Sequence, residues 1–112
     1  LIQKECDALG VQVRFYQSNH EGDLVDAIQA ARLDCDGIVL NPGAYTHTSI
    51  AILDALKAVA LPAAEVHITD INQREEFRKV SYAGMACQAH FIGQGLAGYL
   101  NAVRWLAENY SK

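Results

Sequence analysis

The 112-residue sequence lacks basic clusters, long apolar runs and paired cysteines. Nine Lys and Arg residues against thirteen Asp and Glu residues leave a net charge of -4, which argues against binding to nucleic acid or to an anionic membrane. No apolar run approaches the roughly 20 residues that cross a bilayer, so we expect a soluble protein with no membrane partner. Cys6, Cys35 and Cys87 form no CxxC pair, which is typical of reduced thiols and predicts a cytoplasmic protein.

The composition, 51% apolar and 20% charged, predicts a folded globular chain. No linker or repeat divides it, so we interpret residues 1–112 as a single domain. Residues 1–10 have the pattern of a helix that ends at Gly10, which suggests that further sequence precedes them in the gene. The lack of a signal peptide at Leu1 therefore says little about targeting.

Strands and helices alternate along the chain. Period-two alternation and short apolar runs predict four strands, at residues 11–16, 37–40, 63–68 and 87–92. Helical spacing predicts helices at residues 21–33, 47–60 and from 96 onward, with a helical turn near 74–79. We expect Ser18 and Glu21 to form a capping box, and Thr46 or His47 to begin the second of these helices.

This order predicts an α/β protein with a parallel sheet and right-handed crossovers, which is a flavodoxin-like three-layer sandwich. The first predicted helix has no strand before it, so we expect the first strand of this fold to be missing from the chain. Ligands of open parallel sheets bind beyond the carboxyl ends of the strands. The residues that follow each predicted strand are therefore the candidates for a site.

Glu65 and His67 lie two residues apart on one predicted strand and should leave its same face. A carboxylate beside an imidazole fixes its tautomer and stabilises its protonated form, as a general acid requires. The alternative is a pair of polar residues at a solvated strand end.

The loop from Asn41 to His47 offers an amide, backbone N–H groups and an imidazole at the start of a helix, where an anion is favoured. It is equally compatible with an ordinary turn in which Asn41 bonds its own backbone. Arg74 and Arg78 have the spacing of one helical face and could hold an oxygen-rich substrate, or belong to a solvated face of mixed charge. Asp54 lies seven residues beyond His47, too far for one small ligand to contact both easily, so it is either a structural surface acid or part of a neighbouring subunit's site.

Two further patterns suggest a dinucleotide or a metal ion at first sight, but the residues around them argue against both. The GxGxxG pattern at residues 93–98 lacks the following strand and acidic residue of a dinucleotide site, so we attribute it to a tight turn and close packing. The four histidines show no HxH or HxxxH spacing, and the apolar neighbours of His90 predict burial, so we expect no metal.

Several segments together resemble the type II 3-dehydroquinate dehydratases (type II dehydroquinases) over essentially the whole chain. They are residues 17–22 (QSNHEG), 41–49 (NPGAYTHTS), 65–68 (EVHI) and 74–78 (REEFR), in the family's order and spacing. The resemblance implies a cofactor-free lyase that converts 3-dehydroquinate to 3-dehydroshikimate by anti elimination through an enolate. It also implies trimers packed into dodecamers, and a place in the shikimate pathway or in quinate breakdown.

The resemblance also implies residue roles. His67 would protonate the departing hydroxyl and Glu65 would orient it, while Asn41 would help hold the water that stabilises the enolate. The backbone of Ile68 and Thr69 would receive the substrate carboxylate. The remaining residues would bind ring hydroxyls (His47, Arg78), support the site as a charge (Arg74) or reach an adjacent subunit's pocket (Asp54).

The sequence departs from the family pattern in three places. Thr69 stands where Ser is common, and Asn72-Gln73 replaces a frequent His-Ala pair. The family's first strand and its lid loop, with the Tyr that abstracts a proton and the Arg that activates it, have no counterpart here. We therefore expect negligible turnover from the 112-residue chain alone. The alternatives are a non-catalytic flavodoxin-like module that binds small anions and a dinucleotide oxidoreductase.

Overall fold

The computed structural model describes residues 2–110. Its helices are α1 (Ile2–Leu9), α2 (Glu21–Asp34), α3 (Ile50–Val59) and α4 (Ala97–Tyr110). Its strands are β1 (Ile38–Leu40), β2 (Ala63–His67) and β3 (Ala89–Ile92), which pair in parallel in the order β1-β2-β3. Four short 3-10 helices occupy the connections, at Gly43–His47, Ile71–Gln73, Glu76–Lys79 and Ala83–Ala86.

The sheet lies between two helical layers, as predicted for a three-layer α/β sandwich. Every residue of β2 is buried, and alternate side chains enter opposite cores. Ala63 belongs to the core formed with α2 and α3, whereas Ala64 and Val66 pack with α4. Since β2 is the central strand, residues at its carboxyl end are held from both sides.

A glycine-rich turn after β3 fixes the end of β2. Gly93 and Gly95 have φ values of +74° and +61°, which favour glycine. Their N–H groups donate to the carbonyl oxygens of His67 and Ile68, each at 3.0 Å. A side chain at Gly98 would lie 3.1 Å from Val66 Cγ1. Turn geometry and packing therefore account for the GxGxxG pattern, as we expected.

The strand predicted at residues 11–16 is wrong for this structure. The segment forms no strand, and Phe15 and Tyr16 are 58% and 60% exposed. A cavity of about 810 Å³ opens between this segment and β1, with Val13 and Val39 in its wall. A strand needs a neighbour for its backbone hydrogen bonds, and within residues 2–110 this segment has none.

One helix start and one helix cap also differ from the predictions. α3 begins at Ile50 because the Ser49 hydroxyl accepts a hydrogen bond from the Ile52 N–H at 3.0 Å, while residues 43–47 wind as a 3-10 helix. The N-cap of α2 is His20, and Ser18 bonds His20 and Asp23 instead of closing a capping box.

The end of the first helix matches its prediction. Gly10 has φ +71°, and the Val11 N–H donates to the Cys6 carbonyl oxygen at 2.8 Å. Leu1, which we predicted within that helix, lies outside the described residues. Within residues 2–110, no helix is both long and apolar enough to cross a membrane.

Two isoleucines of α3 allow a matched test of the core. Ile52 is fully buried and Ile50 is 55% exposed. We expect Ile52→Ala to lower the free energy of unfolding by about 2–5 kcal/mol, since it deletes buried methyl groups and leaves a cavity. Ile50→Ala should change it by only about 0.5 kcal/mol. Urea unfolding measures both, and equal losses would contradict this account of the core.

Candidate active site

A polar pocket of about 240 Å³ opens at the carboxyl ends of β1 and β2. Its position is the one that the parallel sheet predicts for a ligand site. It brings together side chains from the loop after β1, the end of β2 and the segment after it. The lining residues are Asn41, Gly43, Ala44, His47, His67, Ile68, Thr69, Ile71, Arg74 and Arg78.

His67 and Glu65 form a buried pair at the inner wall of the pocket. Their exposed fractions are only 5% and 2%, and His67 Nε2 lies 3.0 Å from Glu65 Oε2. A carboxylate accepts hydrogen bonds, so Nε2 carries the hydrogen. Nδ1 makes no hydrogen bond within the described part of the chain. The structure thus places the two side chains together, as their spacing predicted, with one imidazole nitrogen left for a ligand.

Two further donors bind the same carboxylate. Ser81 Oγ donates to Glu65 Oε2 at 2.7 Å, and His90 Nδ1 donates to Glu65 Oε1 at 2.5 Å. Burial raises the pKa of Glu65, but the hydrogen bonds from His67, Ser81 and His90 outweigh burial and leave that pKa below its ordinary value. Glu65 is therefore a buried anion near neutral pH.

Sequence reasoning missed Ser81 and His90 as partners of Glu65. The expectation that His90 is buried was wrong, because its side chain is 44% exposed. The contact follows from the strand register, in which Glu65 pairs with His90 across β2 and β3, and no pattern within either segment reveals that register. Polar residues opposite each other in neighbouring strands of a largely apolar sheet indicate a contact.

The short helix at residues 83–86 closes over the carboxylate. Gly84 has no room for a side chain, since a Cβ there would overlap Glu65 Oε1. Its N–H donates to Ser81 Oγ at 2.9 Å, which positions that hydroxyl for Glu65. Burial, followed by the charge of Glu65, raises the pKa of Cys87 to about 12, so the adjacent thiol stays neutral.

The loop after β1 is both an ordinary turn and part of the pocket. Asn41 Oδ1 accepts from the Gly43 N–H at 3.1 Å, and Asn41 Nδ2 donates to the Tyr99 hydroxyl at 2.9 Å. His47 Nδ1 donates to the Val80 carbonyl oxygen at 2.8 Å. The interpretation of Asn41 as an ordinary turn residue is therefore confirmed, whereas anion binding by this loop stays a prediction; Asn41 and His47 both line the pocket.

Backbone amides and arginines form the remaining polar wall. The N–H groups of Ile68 and Thr69 have no acceptor among the described residues, so both remain available to an anion. Arg78 is held by Glu75, with Nε 2.6 Å from Oε2, and its guanidinium lies 5.1 Å from the Phe77 ring centre. Arg74 and Arg78 both line the pocket, but the prediction that they share one helical face was wrong, because the Arg74 backbone is extended and only Arg78 lies in the 3-10 helix at residues 76–79.

Asp54 lies apart from this site. It is exposed on α3 and does not line the pocket. None of the tyrosines between residues 2 and 110 lines the pocket either. The described residues also contain no group of three His, Cys, Asp or Glu side chains arranged for a metal ion.

The parallel sheet between helical layers, with a polar pocket at its rim, defines a flavodoxin-like α/β protein. The family model described as "Dehydroquinase class II" matches residues 1–107. The chain belongs to this family.

Among curated relatives, it is 49% identical over 101 residues to the 3-dehydroquinate dehydratase of Bacillus pumilus (strain SAFR-032), covering 90% of this chain and 69% of the relative. It is 50% identical over 103 residues to the catabolic 3-dehydroquinase of Aspergillus oryzae (strain ATCC 42149 / RIB 40), covering 92% of this chain and 67% of the relative. The crystal structure of type II dehydroquinase from Butyrivibrio crossotus DSM 2876 matches with a TM-score of 0.91 and 48% identity, covering 94% of this chain and 74% of that one.

The lowered pKa of Glu65 makes stability depend on pH. Its ionised form stabilises the fold above the ordinary pKa of a glutamate, about 4.3, and this contribution is lost as pH falls through the lowered pKa. We expect Glu65→Gln to lower the free energy of unfolding by about 1–3 kcal/mol at pH 7. This difference from wild type should become smaller below about pH 4.

Urea unfolding across this pH range measures the effect. Glu76→Gln is the control, since the Glu76 side chain is 89% exposed and forms a surface ion pair with Lys79, so its effect should stay below about 1 kcal/mol. A Glu65→Gln deficit that does not narrow in acid would contradict the assignment.

Proposed function

We propose that this pocket dehydrates 3-dehydroquinate to 3-dehydroshikimate, the reaction that the names of the curated relatives imply. The single observation that carries the proposal is the His67–Glu65 pair facing the same pocket as Asn41, with Nδ1 of His67 unoccupied. An acid at that position suits the loss of a hydroxyl group, because a leaving hydroxide needs a proton. Membership of the dehydroquinase class II family supports the same reaction.

The elimination proceeds in two steps. A base removes a proton from the carbon next to the substrate ketone, and the electron pair enters the carbonyl to form an enolate. The enolate then re-forms the ketone and expels the hydroxyl, while His67 Nδ1 donates a proton so that water leaves. Glu65 stabilises the protonated ring through Nε2, and its buried charge strengthens that attraction.

We propose that the polar wall binds the substrate as follows. The free N–H groups of Ile68 and Thr69 receive the carboxylate, since oriented backbone amides bind anions. Asn41 helps hold the water that stabilises the enolate. His47 and Arg78 bind ring hydroxyls, and Arg74 supports the site as a nearby charge.

The reaction also needs a base that removes the proton. No tyrosine of the described chain lines the pocket, and we propose that the base comes from a lid tyrosine of the kind the family uses. For this reason the activity tests use the protein expressed from its complete reading frame.

His67→Ala tests the proposed acid. We expect turnover, followed by the ultraviolet absorbance of 3-dehydroshikimate, to fall about 10²–10⁴-fold, because the leaving hydroxyl loses its proton donor. His20→Ala is the matched control: His20 precedes α2, makes no side-chain cap and lies outside the pocket. Unchanged turnover in His67→Ala would remove the proposed acid.

We propose that Asp54 serves the pocket of a neighbouring subunit, within trimers packed into dodecamers. The support is its exposed position on α3, away from its own pocket. An assembly of this kind gives each site residues from two chains.

Co-expression of Asp54→Ala chains with His67→Ala chains tests this arrangement. If each variant alone is weakly active, random mixing should restore wild-type geometry at about a quarter of the sites, since one chain then supplies His67 and the other Asp54. Turnover that only averages the two variants would show that Asp54 acts within its own chain or not at all. Light scattering reports the subunit number.

We also propose a cytoplasmic location. The three cysteines are free thiols, which a reducing compartment maintains. Cell fractionation with an antibody to the protein tests this. The relatives include both 3-dehydroquinate dehydratases and catabolic 3-dehydroquinases, so the reaction fits shikimate synthesis and quinate breakdown equally.

A further inference from the structure

Glu65 binds a second imidazole that the proposed reaction does not use. His90 Nδ1 lies 2.5 Å from Glu65 Oε1, while His67 and Ser81 share the other oxygen, Oε2. His90 lies on β3 directly across from Glu65 in the strand register. Its side chain is 44% exposed, whereas those of His67 and Glu65 are 6% and 3% exposed.

The two imidazoles contribute differently to the geometry. His67 must keep Nε2 toward Glu65 for Nδ1 to remain available in the pocket. If the carboxylate rotates, Oε2 moves away from the direction of the Nε2–H bond and the hydrogen bond to His67 is lost. Ser81 restrains only Oε2, so its hydrogen bond does not fix the other oxygen. A donor on Oε1 holds the carboxylate plane at both ends.

We propose that His90 is a positioning residue that locks the Glu65 carboxylate through Oε1 and thereby holds His67 in the tautomer and orientation that the acid needs. The consequence for catalysis rests on the proposed function, whereas the effect on the His67 ring does not.

The groups around Glu65 are consistent with this role. The titratable side chains that face it are His67 on its own strand, His90 on β3, and Cys87 after the short helix at residues 83–86. Cys87 is neutral near pH 7 because its pKa is raised to about 12. No lysine or arginine of the described residues bonds Glu65, so its donors are the two imidazoles and the Ser81 hydroxyl.

Two isosteric substitutions separate a hydrogen-bonding role from a packing role. His90→Asn keeps an N–H donor at the place of Nδ1. His90→Leu introduces a side chain of the same shape as asparagine but without a donor. His20→Leu, away from the pocket, is the control for losing a histidine. His90→Ala repeats the loss of the donor with less bulk, in case leucine disturbs the edge strand.

The first readout is nitrogen-15 NMR of the His67 ring, which needs no turnover. In wild type and His90→Asn we expect the Nε2–H tautomer to predominate at high pH. In His90→Leu and His90→Ala we expect a mixture of tautomers, and a Glu65 pKa moved upward in carbon-13 titrations because one donor is lost.

The second readout is turnover of the protein from its complete reading frame. We expect His90→Leu to lower kcat about tenfold with little change in KM, and His90→Asn to restore most of it, as loss and return of one charge-assisted hydrogen bond imply. The inference is overturned if His90→Leu leaves the His67 tautomer unchanged, or if His90→Asn behaves like His90→Leu. Inactivity of the wild type would count against the proposed function alone, because the NMR readout would still decide the role of His90.

Discussion

The site depends on one buried negative charge, the Glu65 carboxylate. An ionised carboxylate that is 2% exposed is costly unless donors surround it, and here two imidazoles and a hydroxyl do so. These bonds constrain three segments at once: β2, β3 and the short helix at residues 83–86, where only glycine fits at position 84. A movement of these segments would therefore leave the buried Glu65 charge without donors. Because His67 is bonded to Glu65, its ring is held in place as well.

The carboxyl end of β2 is fixed independently by backbone contacts. The Gly93 and Gly95 N–H groups occupy the carbonyl oxygens of His67 and Ile68, so the chain direction there is set from the neighbouring turn. Ile68 and Thr69, which follow, line the pocket. Glycines that resemble a nucleotide loop in the sequence thus serve a different purpose, which is to fix the chain where β2 ends and the pocket wall begins.

Sequence patterns predicted the features that depend on local periodicity and on parallel-sheet geometry. The paired sheet and the gathering of Asn41, His47 and Arg78 at one rim follow from strand ends and short spacings. The strand at residues 11–16 failed because alternation describes a half-buried surface but does not supply a neighbour. His90 was missed because its importance comes from register with Glu65, a relation between distant segments that single-segment patterns do not contain.

Hydrogen bonds to the protein hold the polar side chains of the pocket wall in place. Asn41 bonds Gly43 and Tyr99, His47 bonds Val80, and His67 bonds Glu65, so each functional side chain is tethered by the protein. For the two histidines, the tether uses one ring nitrogen and leaves the other for a ligand. Such tethering lowers the entropy lost on binding and sets which nitrogen donates. In the proposed reaction, specificity for a hydroxylated carboxylate depends less on the number of polar groups than on which of their atoms the fold leaves unpaired.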